Sequence, residues 1–195
     1  MHSKNLSAYL LLGISALTVV AIIASNHPST PNKTLSQPKP ITASNPLEQK
    51  FQLLSTQGNS SCSQQFTSSI SNMSDGQHIQ GSCCSKMIFS RYKEQVQGLR
   101  KYQDIPQIPS DPYDIPASLA KELLNYDNTL TLTQDEQKVL DDALPKTNEK
   151  GYCCCRCWRW YVYEGLSKYL VKSYHFTSNQ IVDLLNNSDG CGGES

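Results

Sequence analysis

An excess of charge of either sign is missing from this chain. Lys and Arg together number 17, Asp and Glu also number 17, and the formal net charge is +0. No long run of like charge breaks that balance. Such a chain has no general electrostatic pull toward nucleic acid or an acidic membrane face, so no nucleic-acid partner is expected. Charged residues are scarce as a whole, 17% of the sequence, against about 25% in ordinary soluble domains. Ser, Asn, Gln and Thr supply the polar surface instead, as suits an exported protein. Catalytic signatures are missing too. There is no nucleophile elbow, no His-Glu-x-x-His, no P-loop and no Rossmann glycine pattern. Asp104, Asp111 and Asp114 lie among prolines at spacings that match no calcium loop. A binding or scaffold protein is expected, not an enzyme.

Long apolar runs are also missing, with one exception. Ala8 to Ala24 is apolar apart from Ser15 and Thr18 and is 17 residues long. That is the lower edge of what spans a bilayer and exceeds the usual apolar core of a cleaved signal. Ile22 would occupy the minus-three position of a cleavage site after Ala24, where a small residue is preferred. Residues 1–26 are therefore expected to be an uncleaved membrane anchor, with a cleaved signal as the alternative. Lys4 and the amino terminus would hold that end in the cytoplasm, leaving the rest of the chain single-pass and extracytoplasmic. Residues 27–61 carry Pro28, Pro31, Pro38, Pro40 and Pro46 among Ser, Thr, Asn and Gln. They read as a flexible linker, with a short helix over Leu47 to Leu54.

Sustained β alternation is absent, and residues 62–195 read as a mostly α domain. Ile88, Tyr92, Val96 and Leu99 share one face of a helix expected over Ser85 to Tyr102. Four prolines then make 103–116 an extended connector. Leu119, Leu123 and Tyr126 mark a short helix. Thr133 and Glu136 form a capping box that opens another, with Val139, Leu140 and Leu144 inward and Pro145 beyond its end. Trp158, Tyr161, Val162, Gly165, Leu166, Tyr169 and Leu170 outline a strong amphipathic helix over Cys154 to Tyr174. Thr177 and Gln180 form a second capping box, with Phe176 and Ile181 as a hydrophobic staple. The last two helices are expected to pack as an antiparallel hairpin.

What the chain has in excess is cysteine. Its eight cysteines are Cys62; Cys83 and Cys84; Cys153, Cys154, Cys155 and Cys157; and Cys191. On a helix, Cys154 and Cys157 would converge at i, i+3, and Cys153 and Cys157 at i, i+4. Cys-x-x-Cys is the spacing of zinc sites and of thiol redox motifs. A helix N-terminus stabilises the thiolate, the form that binds metal. Cys83 and Cys84 are likewise expected just before a helix, and the glycines around Cys191 let it return to the cluster. Three readings stay open. Thiolates of Cys83, Cys84, Cys153, Cys154, Cys155, Cys157 and Cys191 could bind copper or zinc, with Met73, Met87 and His78 nearby to suit copper. The even count could instead form a disulfide scaffold, with Cys62, Cys83, Cys84 and Cys191 each pairing with one member of the tetra-thiol run. Cys62 and Cys83 could also be disulfide-bonded while the others bind metal. The third reading is thiol exchange at Cys154 and Cys157. Arg156 and Arg159 are expected on a solvated face, or beside the thiolates. His175 is expected to serve a helix C-terminus.

Tyr152-Cys153-Cys154-Cys155-Arg156-Cys157-Trp158, followed by Asp189-Gly190-Cys191-Gly192-Gly193, resembles the layout of exported cysteine-rich proteins known by a Pro-Cys-Tyr-Cys-Gly-Cys motif. The likeness covers about 40 C-terminal residues, and the motif's proline and intervening glycine are lacking here. It implies an exported cysteine-rich domain and no particular activity.

Overall fold

The computed structural model describes residues 45–193. The expected anchor at Ala8 to Ala24 and the first part of the linker lie outside the described residues. Among the described residues no helix is long and apolar enough to cross a membrane. Seven helices carry this part of the chain: α1 (Pro46–Gln57), α2 (Gln64–Ser69), α3 (Phe89–Leu99), α4 (Ala117–Thr129), α5 (Gln134–Ala143), α6 (Trp158–Tyr174) and α7 (Ser178–Ser188). The mostly helical fold is thus as expected.

One element ran against the pattern. β1 (His78–Gln80) pairs antiparallel with β2 (Asp114–Pro116), with Ile79 opposite Ile115. Both isoleucines are fully buried. Three-residue strands are too short to show an alternation, so periodicity could not reveal them.

The short helix expected over Leu47 to Leu54 forms as α1, and it packs on the fold. Asn45 caps α1 by accepting from the Leu47 amide, and Pro46 occupies the first turn, where a missing amide costs nothing. Phe51 packs on Phe89 and Tyr92 at ring separations of 5.2 and 5.7 Å. Leu54 is buried with Tyr92, Tyr113 and Met87. The folded unit therefore includes α1, ahead of the boundary expected at Cys62.

Both capping boxes form as read. Thr133 accepts from the Glu136 amide while Glu136 answers at the Thr133 amide, and Thr177 and Gln180 do the same for α7. The hairpin of α6 and α7 needs correction. α6 packs chiefly against α4, whereas α7 lies on α3 and α5. Gly165 explains the first preference. A Cβ there would stand 2.0 Å from the Leu123 carbonyl oxygen, so the missing side chain lets α4 and α6 touch backbone to backbone. His175, in the left-handed region at φ 53°, ends α6 and turns the chain away. The core joins Leu123 and Ala120 of α4, Leu140 of α5, Trp158, Val162, Leu166 and Leu170 of α6, and Ile181, Leu184 and Leu185 of α7.

Two helix starts come later than the sequence suggests. α3 begins at Phe89 rather than Ser85, and α6 at Trp158 rather than Cys154. Both cysteine-bearing segments are therefore loops, for a reason that lies in the site.

Candidate metal centre

Three loops and the C-terminal tail meet above the N-terminus of α6. The first loop carries Cys62. The amides of Asn59 and Ser60 both donate to the Gln80 carbonyl, at 2.9 Å each, which ties this loop to β1. Ser63 then caps α2, and Trp158 donates to Ser60 at 3.3 Å.

The second loop carries Cys83 and Cys84. It leaves β1 through Gly81, whose φ of +80° is left-handed and whose Cα meets Gly58 at the end of α1. A side chain fits at neither glycine. Ser82 closes the loop by donating to the Ser85 carbonyl.

The third loop runs from Thr147 to Cys157. Thr147 is buried, accepts from the Gly151 amide and donates to the Gly151 carbonyl, both at 3.0 Å. Tyr152 stands edge-on to Trp160 at 5.4 Å. Cys157 is the N-cap of α6, but its sulfur makes no capping bond and turns into the cluster.

The tail completes the ring. The Ser85 amide donates to the Cys191 carbonyl at 2.8 Å, and the Gly193 amide donates to the Lys86 carbonyl at 2.9 Å. Gly192 has φ +77°, and a Cβ there would stand 2.3 Å from the Ser85 oxygen. Gly192 therefore serves close passage against the second loop, not mobility.

All eight cysteines carry free thiols, and they converge. Sγ separations are 2.8 Å for Cys153–Cys191, 3.0 Å for Cys154–Cys191, 2.9 Å for Cys62–Cys84 and 3.3 Å for Cys62–Cys155. Cys84 lies 3.6 Å from Cys83, 3.6 Å from Cys154 and 3.7 Å from Cys155. Five triads have all sulfurs within 4.8 Å of one another, and every cysteine belongs to at least one of them. Thiolates on one tetrahedral zinc, at about 2.3 Å from it, stand about 3.8 Å apart. The cluster has the donor set and the spacing to hold a metal ion.

The seven cysteines singled out in the sequence all take part, and Cys62 joins them. The expected i, i+3 pair does not form. Cys154 turns to Cys84 and Cys191, while Cys157 turns to Cys153 and Cys83. Without a helix under residues 153–157, the thiols fan around the cluster instead of lining one helical face. His78 belongs to none of these groups, and its ring bonds Asp114 of β2 at 2.8 Å instead. Met87 is buried beside Cys83 and Cys84 in a cleft they line together, whereas Met73 packs on the main core.

Beneath the thiols lies Arg159, fully buried. Its guanidinium donates to the carbonyls of Pro112 and Gly81 and lies 4.6 Å from the Trp158 ring. Its Nε has no partner among the described residues. A buried cation with only neutral acceptors is costly, and anionic sulfur nearby offsets that cost. The alternative of a solvated face holds only for Arg156, which is exposed and stacks on Trp160 at 4.8 Å.

The thiols differ in acidity. Cys83 is held far below the ordinary thiol value, because Cys153, Cys157 and Cys191 donate to its sulfur and Arg159 adds its charge against the effect of burial. Burial would raise Cys155, but hydrogen bonds from Cys62, Cys157, Cys84 and Cys154 outweigh it and lower that thiol. Cys62 and Cys84 are pushed up, chiefly by burial. Cys157 is drawn down by Cys153, but Cys83 and burial prevail and push it up to about 11. Cys83 and Cys155 are thus the two thiols whose acidity the cluster raises, and metal binding calls for deprotonated sulfur.

Comparison of the chain with protein-family models, with curated proteins and with solved structures gives no match.

Proposed function

We propose that this domain binds a soft metal ion, copper(I) or zinc(II), through cysteine thiolates, and serves metal handling rather than catalysis. The N-terminal segment would hold it at a membrane with the thiols outside the cytoplasm, in keeping with its likeness to exported cysteine-rich proteins. The observation that carries this reading is the clustering of all eight cysteines into overlapping triads of metal-ligand spacing, with a buried arginine beneath them. A donor set of sulfur alone selects soft ions. A disulfide framework asks each sulfur for one partner, whereas here most have several. Thiol exchange asks for one isolated pair, and Cys154 and Cys157 belong to different groups.

The disulfide scaffold remains the alternative, because the same contacts would also let Cys62–Cys155, Cys84–Cys154, Cys153–Cys191 and Cys83–Cys157 pair off. Full-length protein purified anaerobically separates the two. Thiol titration under denaturant, with and without reductant, is read beside copper and zinc content. Free thiols with stoichiometric metal support the metal reading. No free thiols and no metal would leave the scaffold.

A further inference from the structure

Three of the eight thiols are buried, three half-buried and two exposed, and depth together with proximity sorts them into two groups of four. Cys153, Cys157 and Cys191 are 4%, 2% and 3% exposed, and Cys83, itself half-buried, lies within 4.8 Å of Cys153 and Cys191 and hydrogen-bonds Cys157. Arg159 lies behind this group, facing Cys83 and Cys191. The remaining four form the outer layer. Cys84 and Cys154 are exposed, and Cys62 and Cys155 half-buried. Their sulfurs form a chain from Cys155 to Cys62 to Cys84 to Cys154, with steps of 3.3, 2.9 and 3.6 Å, and Cys84 also reaches Cys155 at 3.7 Å. The layers touch at Cys83–Cys84, 3.6 Å apart, at Cys154–Cys191, 3.0 Å apart, and at Cys157, whose sulfur lies within 4.8 Å of those of Cys62 and Cys155.

We infer that the cluster is a two-ion site, with an inner tetrathiolate of Cys83, Cys153, Cys157 and Cys191 that retains its ion and an outer one of Cys62, Cys84, Cys154 and Cys155 that exchanges its ion with ligands from solution. This rests on the metal-binding reading above. Four thiolates satisfy one tetrahedral ion, so eight satisfy two with no ligand left over. The buried guanidinium sits behind only the inner group, where it offsets the excess negative charge that four thiolates place on a divalent ion. Water and competing ligands meet the outer group directly. They reach the inner one past Cys83, which shares the wall of an open cleft with Cys84, Ser82, Lys86 and Met87. Exchange is ligand substitution without redox. An incoming thiolate or chelating nitrogen replaces a cysteine sulfur on the outer ion, and the released thiolate takes a proton.

The test uses the full-length protein in detergent, reduced and loaded with zinc alone. Zinc per chain is measured by native mass spectrometry, and release to a chromophoric chelator is followed in time. The expected result is two zinc ions released in two phases of equal amplitude. Cys84→Ser and Cys154→Ser, both at exposed positions, should each abolish the fast phase and keep one slowly released ion, with an unchanged helical circular dichroism spectrum. Two ions leaving at one common rate, or any stoichiometry other than two, would overturn the nested arrangement while leaving a thiolate metal site intact. No bound zinc at all would instead overturn the metal reading beneath it.

Discussion

Gly190 has no side chain where Arg159 needs the space. A Cβ at Gly190 would stand 2.1 Å from an Nη of the Arg159 guanidinium. The tail can bring Cys191 over the cluster only by passing directly across the buried arginine. Gly190→Ala is therefore expected to displace one or the other and cost about 1–3 kcal/mol, as overpacking does. Denaturant unfolding measures it. An unchanged midpoint would contradict this packing.

A second glycine tests the architecture. Gly165→Ala forces α6 off the Leu123 carbonyl of α4 and should again cost about 1–3 kcal/mol. Leu166→Ala, one residue on and fully buried, should cost about 2–5 kcal/mol. Effects below about 0.5 kcal/mol, the range of surface substitutions, would mean that α6 does not face this core.

Arg159→Met keeps most of the length and removes the charge. A cation near a thiol favours the thiolate, so its loss raises the pKa of Cys83. Metal binding requires deprotonated ligands. Zinc loading as a function of pH should then shift to higher pH in the variant. A shift to lower pH, or none, would show that the arginine does not act on the thiols.

Acid stability tests whether α1 belongs to the fold. Burial alone would raise the Asp114 pKa, but hydrogen bonds from Lys50 of α1, Gln80 and His78 outweigh it and hold it below the ordinary 3.8. Lys50 also pairs with Asp111 at 3.0 Å. A carboxyl lowered in the folded state contributes stability that is present above 3.8 and is lost as pH falls through its folded value. The unfolding midpoint should decline over that acid window, and Asp114→Asn should flatten the decline. Equal acid slopes in both proteins would contradict the contact.

Much of this was legible in the sequence because it is local. Capping boxes at Thr133 and Thr177 are read from residues three apart, and the buried face of Tyr92 and Leu99 from a period of 3.6. Cysteine richness itself pointed to seven ligands. What escaped depends on distant segments. Cys62 has no informative neighbours and reaches the site through the pairing of Asn59 and Ser60 with Gln80. For Arg159 the sequence leaves a solvated face and a place beside the thiolates both open, because only the tail and the β1 loop, closing over it, decide between them. α6 begins at Trp158 because Cys153, Cys154 and Cys155 are drawn toward partners in other segments, and helix propensity does not register such long-range contacts. The short β1–β2 pair and the choice of α4 over α7 as partner for α6 were hidden for the same reason.

The most direct measurement is X-ray absorption at the zinc edge on the zinc-loaded, full-length protein. The account predicts a first shell of sulfur alone, four scatterers at about 2.3 Å, as in tetrathiolate sites. A shell containing histidine nitrogen or carboxylate oxygen in place of sulfur would contradict it, as would a chain that takes up no zinc with all eight thiols reduced.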